Sequence, residues 1–435
     1  MTDTVCTAHW RGLAADEGEA YAVDGARPRF LAQPATLVEV AETLKEAADQ
    51  RLAVVPRGGG TKMGLGGPPR AADLILSTQR LNRIMDYTPA DMTVTVEAGM
   101  RLADLQETLR RERQFLALDP PGGPEATVGG VIAANASGPR RLRYGSARDV
   151  VIGVRVAQTN GTVTKAGAKV VKNVAGYDLN KLYVGSLGTL VVLGEVSFKL
   201  SPLPELYRSL AVTMPSVEAA MTVVRRVLRS PLSPTALEIA NQAAVTSLPR
   251  LQSYSGSGVL LLAEVDGFGQ AVERSLRDLE GYCREAGAGQ VTRLDDEPAQ
   301  EAWADLREAA SRLEAALTLK IAVPVTAVAA LIAAVEAPHS GLTGPAVVSH
   351  AGSGIIYVYA QAPQDGSALA GTVADLRARA VHAGGSLVVE RCPAELKAAV
   401  DVWGDVGPAL RVMRTLKETF DPSGSLNPGR FVGGM

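Results

Sequence analysis

Three consecutive glycines directly follow a short apolar run, and this loop most limits what the chain can fold into. Residues 53–55 are apolar, and Arg57 is followed by Gly58 to Gly60 and then by Thr61 and Lys62. Consecutive glycines permit positive φ, turn successive N–H groups into one concavity and let phosphate oxygens approach the main chain. The pattern predicts a strand that runs into an anion-binding loop, although a plain turn explains the glycines equally well.

Two common nucleotide fingerprints are absent from this loop. The dinucleotide motif G-x-G-x-x-G does not occur there between a strand and a helix, and Gly60-Thr61-Lys62 is not the Gly-Lys-Ser/Thr order of a Walker loop. Conventional binding of NAD or ATP is therefore not expected.

A second stretch rich in small residues runs from Leu116 to Val156. It contains Gly122-Gly123, Thr127, Gly129-Gly130 and a small-residue run over 133–138. Such residues suit close packing against a flat ligand or a pyrophosphate. Beside them lies an arginine cluster that fits pairing with phosphate, pairing with a partner protein, or a solvated loop: Arg140, Arg141, Arg143 and Arg148.

A third stretch extends from Lys169 to Leu200. Gly185 to Leu190 precedes an apolar, alternating segment over 191–200, which is typical of a turn leading into a strand. A plain hairpin explains this stretch almost as well.

Taken together and in this order, the three stretches resemble the FAD-binding domain of the vanillyl-alcohol oxidase and p-cresol methylhydroxylase (PCMH) superfamily. The resemblance implies that the first loop holds the FAD pyrophosphate, the second lines the flavin and the third closes the adenine end. It implies non-covalent FAD, because the phosphate loops contain no histidine or cysteine. The cofactor contacts that it implies are Pro56, Arg57, Gly58, Gly59, Gly60, Thr61, Lys62, Pro121, Gly122, Thr127, Gly129, Gly130, Asn135, Ser137, Gly138, Gly145, Gly185, Ser186 and Gly188.

The C-terminal residues add a fourth resemblance. Asp421-Pro422 and Asn427-Pro428-Gly429 are turn chemistry and predict a structured terminus. In FAD-linked glycolate and D-lactate dehydrogenases a similar segment returns to the flavin domain, which implies cofactor or domain-closure contacts for Asn427 and Arg430.

Within this family the chain is similar to the E-type flavin subunits of bacterial glycolate oxidase complexes. The similarity lies in residues 137–151, 170–190 and 400–404. It implies two partners, a catalytic FAD subunit and an iron–sulfur subunit. Trp403 and Asp401 fit either that interface or, more simply, a packed indole.

Length and pattern predict an α+β protein of more than one domain. With 435 residues and 46% apolar content, two cores are expected. Prolines at 202 and 204 mark a boundary, so we expect an FAD-binding domain of the PCMH type, itself of two subdomains, over 1–204. Alternating helices and strands over 205–410 fit a ferredoxin-like cap, and 411–435 is expected to return to the FAD-binding domain. No internal repeat stands out.

Periodicity also predicts individual elements. Helices are expected over 37–50, with Thr36 as the N-cap, and over 102–112, 217–228 and 271–285. Strands are expected over 71–76, 92–96, 259–265 and 354–360.

Composition excludes several classes of function. A net charge of -2 and 4% aromatic residues argue against nucleic-acid binding. The N-terminus lacks the layout of a signal peptide and no apolar run is long enough for a membrane span, so a cytoplasmic protein is expected, peripheral to the inner membrane only through its complex. Cys6, Cys283 and Cys392 form no C-x-x-C pair, so electrons from a flavin must pass to oxygen, a quinone or a partner.

Oxidation of a 2-hydroxy acid requires a base, a cation for the carboxylate and a hydride acceptor. In catalytic relatives, cap histidines and a glutamate bind a metal, but this chain has only four histidines and no local pair, so no metal is expected. His350 fits either a base or a packed, hydrogen-bonded histidine. Arg391 stands where relatives carry histidine. It could bind a substrate carboxylate through two hydrogen bonds, form a salt bridge to Glu390 or contribute to a partner surface. For His350 and for Arg391 we favour a structural role over a catalytic one.

The sequence therefore predicts an FAD-dependent oxidoreductase acting on CH–OH groups. The favoured interpretation is an FAD-binding subunit of a glycolate oxidase-like complex. It would support flavin-mediated oxidation of glycolate or D-lactate, with electrons passed to a partner subunit, and would serve assembly or electron transfer more than substrate oxidation itself. The alternatives are a self-sufficient FAD-dependent 2-hydroxy acid dehydrogenase and a non-redox assembly subunit. The intact glycine loops argue against the last.

Overall fold

The structure is a computed structural model that describes residues 9–168, 177–363 and 365–435. It confirms the α+β class. The strands of the first half are β1 (Arg11–Gly12), β2 (Phe30–Ala32), β3 (Val54–Arg57), β4 (Leu74–Ser77), β5 (Ile84–Thr88), β6 (Thr93–Glu97), β7 (Gln114–Phe115), β8 (Val151–Ala157), β9 (Val163–Gly167), β10 (Val192–Lys199) and β11 (Ser201–Pro202).

These strands form two main sheets, one for each subdomain. The first has the order β1-β2-β4-β3, with β2, β4 and β3 parallel, and the second is antiparallel with the order β5-β6-β10-β8-β9. Strands β7 and β11 form a separate pair. Strand β3 continues through Pro56 to Arg57, because β3 is an edge strand and tolerates a residue that lacks an N–H group.

The helices of this half are α1 (Ala15–Ala20), α2 (Leu37–Asp49), α3 (Leu102–Arg111), α4 (Val128–Ala133), α5 (Arg141–Tyr144), α6 (Ala147–Val150) and α7 (Asn180–Tyr183). Helix α2 supplies the crossover that joins the parallel strands β2 and β3. The Thr36 side chain accepts from the Glu39 N–H, which confirms the predicted N-cap. The apolar face of α2, which carries Leu37, Val40, Ala41 and Leu44, is buried between the two sheets.

The second half begins after residues 203–205. Its strands are β12 (Leu206–Met214), β13 (Ala236–Ala240), β14 (Val259–Gly267), β15 (Val291–Leu294), β16 (Leu317–Ala322), β17 (Ala346–His350), β18 (Ile355–Ala360) and β19 (Ser386–Arg391). Its helices are α8 (Val217–Leu228), α9 (Gln242–Ser247), α10 (Gly269–Glu285), α11 (Asp296–Arg307), α12 (Ala309–Arg312), α13 (Val328–Glu336), α14 (Gly366–His382), α15 (Ala394–Lys397) and α16 (Ala409–Phe420). Across the described ranges, no helix has both the length and the apolar content needed to cross a bilayer.

The cap is built from two ferredoxin-like units placed side by side. One unit runs β12-α8-β13-β14-α10-β15, with α9 inserted between β13 and β14, and the other runs β16-α13-β17-β18-α14-β19. Apart from the inserted helix, each has the β-α-β-β-α-β pattern. The single sheet has the order β15-β12-β14-β13-β17-β18-β16-β19, so the units meet where β13 pairs with β17. The ferredoxin-like prediction is confirmed, and a structural duplication appears that the sequence does not reveal.

The C-terminal segment packs back onto the first half, as predicted. The Val54 N–H donates to Ser425 O (2.8 Å) and the Asn427 N–H donates to Val54 O (2.9 Å), so the segment extends the edge at β3. The Trp403 indole donates to Arg430 O at 3.0 Å and packs edge-on to Phe431. Trp403 is therefore held within the chain, which agrees with the simpler of its two interpretations.

Candidate functional site

One face of the cap sheet carries polar side chains and is turned toward the FAD-binding half. Successive residues of a strand point to opposite faces, so alternate positions share one face. The opposite face is apolar and is covered by α8, α10, α13 and α14. The apolar residues of the first face pack against α9, α11 and α12. The polar positions on that same face are Glu238, Glu264, Asp266, Thr318, Lys320, His350, Tyr357, Tyr359 and Glu390.

A cavity of about 620 Å³ lies between the two halves. It is lined by residues 60–65 and 121–124 of the first half and by cap residues that include Glu308, Thr318, Glu390 and Arg391. A smaller cavity shares Thr318 and Glu390 with it and extends to Ser137, Gly138 and His350. The volume of the larger cavity is within the range of about 300–1,000 Å³ that is typical of ligand sites.

The first two predicted phosphate loops pack directly on each other. A Cβ atom added at Gly58 would lie 2.1 Å from Thr127 Oγ1, and one added at Gly59 would lie 1.6 Å from Glu125 O. Thr127 caps α4 by accepting from the Gly130 N–H, and it also accepts from the Gly59 N–H, both at 3.4 Å. Glycine is therefore required at 58 and 59 for the contact between the loops.

The third predicted loop joins the other two around a groove. Pro56, Arg57 and Gly58 line it with Gly129, Gly130, Ser186 and Gly188. Gly185 and Gly188 have positive φ, at +84° and +66°, which explains glycine at these turns. Residues 169–176 of the third stretch lie outside the described residues.

The groove has the properties of a nucleotide cradle. Its walls are mainly glycine and small residues, which leave main-chain groups accessible to a ligand. Arg57 Nε, in the groove lining, is buried without a hydrogen-bond partner in the described part of the chain, and so are Asn135 Oδ1 and Asn427 Oδ1. Buried polar atoms are normally paired, so the Arg57 N–H fits an anionic ligand such as the FAD pyrophosphate, whereas the two amide oxygens only accept hydrogen bonds and fit donor groups of a ligand.

Other predicted cofactor residues take different places. Lys62 reaches the cap, and the Gly122 N–H donates to the Glu308 carboxylate at 3.1 Å. Arg430 donates to Met63 O and Leu65 O. Pro121, Ser137 and Gly138 line the smaller cavity, Thr61 and Gly60 line the larger one, and Gly145 packs against Asp149. Asn427 donates to Leu187 O at 2.6 Å.

Asn427 and Arg430 therefore make closure contacts in this structure, one of the two roles that the resemblance implied. The Asn427 contact joins the C-terminal segment to the third loop, and the Arg430 contacts join it to residues 63–65. Both side chains are buried, which is typical of residues that fix one chain segment against another.

A β-bulge brings two adjacent cap residues to the larger cavity. Thr318 pairs with Arg391 and Leu319 with Val389, so Glu390 is the extra residue of the bulge. Neighbouring side chains of a regular strand point apart, but a bulge re-aims one of them. As a result, both Glu390 and Arg391 line the cavity.

Glu390 is held between two lysines. Lys62 Nζ lies 3.1 Å and Lys320 Nζ 3.5 Å from its carboxylate oxygens. Burial alone would raise the pKa of Glu390, but the two ammonium groups lower this pKa to about 2. Glu390 is therefore ionised near neutral pH, and it fastens the first loop to the cap.

Arg391 does not pair with Glu390, so the predicted salt bridge between them is absent from this structure. Its side chain is exposed and lines the larger cavity. In the part of the chain that the structure describes, its guanidinium has no hydrogen-bond or ion-pair partner. This arginine is available to bind an anion in the cavity.

His350 is hydrogen-bonded inside the cap. Its Nδ1 lies 2.8 Å from both carboxylate oxygens of Glu238, on the neighbouring strand. Its ring also packs edge-on to Tyr357, at 5.2 Å between centroids. Burial lowers the pKa of His350 to about 3, and burial together with Asp119 raises the pKa of Glu238.

Sequence reasoning did not find Glu238, Lys320 or Tyr357. Each occupies a polar or aromatic alternate position in an otherwise apolar strand, and that alternation was the available signal. Among the described residues, no group of three or more His, Cys, Asp or Glu side chains is arranged to hold a metal ion.

The arginine cluster mainly joins the two halves. Arg140 forms two hydrogen bonds with Glu264, at 3.0 and 3.2 Å, and Arg143 Nη1 lies 2.6 Å from Asp266. Tyr144 donates to Asp266 at 2.7 Å. The remaining two arginines stay within the first half, since Arg141 donates to Ser137 Oγ and Arg148 to Lys181 O.

We expect Arg140→Ala to lower the free energy of unfolding by about 2 kcal/mol. The substitution leaves the buried Glu264 carboxylate without its cation, and this cost is reduced because Arg140 is partly exposed. Urea unfolding measures the loss. Arg148→Ala, at an exposed position in the same cluster, is the matched control and should change stability little. Equal stabilities for the two variants would contradict this interpretation.

Comparisons with known proteins agree with the geometry. The family model described as FAD binding domain matches residues 28–167, and the model described as FAD linked oxidases, C-terminal domain, matches residues 203–431. The chain is 29% identical to glycolate oxidase subunit GlcD of Bacillus subtilis, over 93% of this chain and 90% of that protein. It is also 29% identical to D-lactate dehydrogenase of Anaerostipes hadrus, with the same coverage.

A similar fold occurs in a solved structure. The crystal structure of p-cresol methylhydroxylase with substrate bound matches with a TM-score of 0.76, at 16% identity, and covers 96% of this chain and 93% of that chain. This likeness supports the arrangement of two subdomains and a cap.

Proposed function

The chain belongs to the FAD-linked oxidases, and from this premise we propose that it oxidises a small 2-hydroxy carboxylate such as glycolate or D-lactate. The relatives named above act on substrates of this kind according to their names. The observation that carries the proposal is the guanidinium of Arg391, which lies in the cavity between the two halves and has no hydrogen-bond or ion-pair partner among the described residues. A planar guanidinium matches a carboxylate and binds it through two parallel hydrogen bonds.

FAD is the cofactor, and the groove at the three glycine loops is its proposed site. Pro56, Arg57 and Gly58 would hold it from the first loop, with Gly129 and Gly130 opposite. Bound FAD supplies the acceptor for the hydride that leaves the substrate carbon.

The residues of the larger cavity would orient the substrate. Arg391 would hold the carboxylate, while Lys62 and Lys320 keep Glu390 ionised and in place. The Thr318 hydroxyl is buried without a partner in the described residues and lines both cavities, so it would meet the polar end of the substrate. His350, in the adjoining cavity, would accept the proton of the substrate hydroxyl.

This site favours substrate oxidation by the chain itself, whereas the sequence favoured a supporting role. The predicted partners remain part of the proposal, a catalytic flavin subunit and an iron–sulfur subunit of a glycolate oxidase-like complex. The cysteines of the described residues, Cys283 and Cys392, are buried and unpaired, so an external acceptor for electrons is required.

Steady-state assays of the FAD-loaded chain with an artificial electron acceptor test the proposal. We expect glycolate and D-lactate to support turnover, and acetate and propionate, which lack the hydroxyl, to act only as competitive inhibitors. Turnover that is equally fast without any hydroxy acid, or no inhibition by the simple carboxylates, would count against it.

A further inference from the structure

Glu238 is the hydrogen-bond partner of His350 and determines which ring nitrogen of His350 is available to a ligand. The two residues face each other on β13 and β17, where the two ferredoxin-like units meet. Glu238 is fully buried, and His350 Nδ1 lies 2.8 Å from both of its carboxylate oxygens. Nδ1 is therefore engaged inside the cap, which leaves Nε2 for the smaller cavity that His350 lines.

Further charged groups act on this pair from every side. Asp119 and Arg141 approach from the first half, Lys320 from β16 and Glu390 from β19. The ring of Tyr357 on β18 completes the enclosure. Two cations and two carboxylates surround the pair, so their effects on its protonation oppose each other. Burial is therefore the main influence on the pKa values of Glu238 and His350.

A buried histidine alone is a poor base. Protonation would place a cation inside the cap, and burial accordingly lowers the pKa of His350 to about 3. An ionised Glu238 offsets the cost of protonating His350, because a proton taken up by the pair neutralises a buried negative charge. Burial raises the pKa of Glu238 for the same reason. The two groups therefore titrate as one unit.

We propose that Glu238 and His350 form one proton-accepting unit for the substrate hydroxyl, with His350 as the catalytic residue and Glu238 as the positioning residue. The inference rests on the proposed function and deepens it. The O–H bond breaks, its proton bonds to Nε2, and the Nδ1 proton moves into the hydrogen bond with Glu238. The electron pair of the O–H bond becomes the second carbon–oxygen bond, and FAD, when bound, would supply the acceptor for the hydride that the carbon gives up.

The pH dependence of flavin reduction tests the proposal. In the wild type the rate should rise as the pair loses its shared proton, at a pH above the ordinary range for a glutamate. Glu238→Gln should keep FAD, lower the limiting rate about 100-fold and move the rise to lower pH, because only the weakly basic imidazole remains. Glu195→Gln, a buried carboxylate paired with Arg155 outside the cavity, is the matched control and should behave like the wild type.

A second readout does not depend on activity. In ¹⁵N-histidine spectra, with His350 assigned by its loss in His350→Gln, the wild-type imidazole should change protonation with pH. In Glu238→Gln it should stay neutral from about pH 5 to about pH 9. Wild-type spectra in which neither ring nitrogen of His350 changes its protonation throughout that range overturn the shared proton, even if the glutamine variant does not fold.

The outcomes separate the inference from the proposed function. A Glu238→Gln enzyme with the wild-type rate and pH dependence overturns the inference alone. A wild-type flavin that no 2-hydroxy acid reduces overturns the proposed function and the catalytic role of His350 with it. A shared proton together with a shifted pH profile supports both.

Discussion

Purified Gly59→Ala protein is expected to emerge from gel filtration without FAD. The added Cβ would lie 1.6 Å from Glu125 O and 2.7 Å from the Glu125 carbonyl carbon, and both are main-chain atoms that cannot swing aside. The first two loops must then separate, at a cost of about 3 kcal/mol or more for an overpacked contact. Because both loops line the proposed cofactor groove, its walls move apart. The ratio of flavin to protein absorbance measures the loss.

The matched control for this experiment is Gly371→Ala. Gly371 lies in α14, and a Cβ added there meets nothing within 4 Å. We expect this variant to retain FAD and to be no less stable than the wild type, because alanine favours a helix more than glycine does. Full FAD content in the Gly59 variant would remove the first loop from the cofactor site.

Arg391→Ala is expected to raise the KM for the hydroxy acid about 100-fold while FAD content stays unchanged. Removal of one partner of a charged hydrogen bond to a ligand costs about 2–5 kcal/mol, and the exposure of Arg391 favours the lower end of this range. The lower value corresponds to about 30-fold, and about 2.8 kcal/mol corresponds to about 100-fold. The groove that would hold FAD does not include Arg391, so the cofactor should remain bound.

Two further variants test the geometry at this position. Arg391→Lys keeps the charge but loses the planar fork, so its KM should lie between those of the wild type and the alanine variant. Arg411→Ala removes an exposed arginine of α16, outside the cavity lining, and should leave the KM unchanged. An Arg391→Ala enzyme with the wild-type KM would show that another group holds the carboxylate.

Local elements were the most predictable part of the fold. Helix α8 has the predicted bounds, and α10 begins two residues before its predicted start. Both helices carry one apolar stripe, and α8 also has Ser216 as an N-cap that accepts from the Ala219 N–H. Neither signal depends on distant residues. The glycine loops were predictable for a related reason, since a Cβ atom would meet the Thr127 side chain at Gly58 and the Glu125 main chain at Gly59.

Contacts across the cap were not predictable from one sequence. Lys62 and Glu390 are 328 residues apart in the chain and meet only because β19 lies at the edge of the eight-stranded sheet. The bulge that brings Glu390 and Arg391 to one cavity depends on register, which no local pattern encodes. Glu238 and His350 meet because two structurally repeated units pair through β13 and β17.

The arginine cluster illustrates the same limit. Its charge suggested phosphate, a partner protein or solvent, and each was a reasonable target for exposed cations. The acidic residues that Arg140 and Arg143 bind, Glu264 and Asp266, lie on one face of β14, more than a hundred residues further along the chain. Only the packing of the two halves identifies them as partners.

Anaerobic stopped-flow absorbance of the FAD-loaded chain, mixed separately with glycolate and D-lactate, tests the central proposal most directly. We predict rapid loss of the oxidised flavin band with at least one of the two acids and without any added partner subunit. Dithionite serves as the control that the flavin can be reduced. A flavin that dithionite reduces but neither acid reduces would contradict substrate oxidation by this chain.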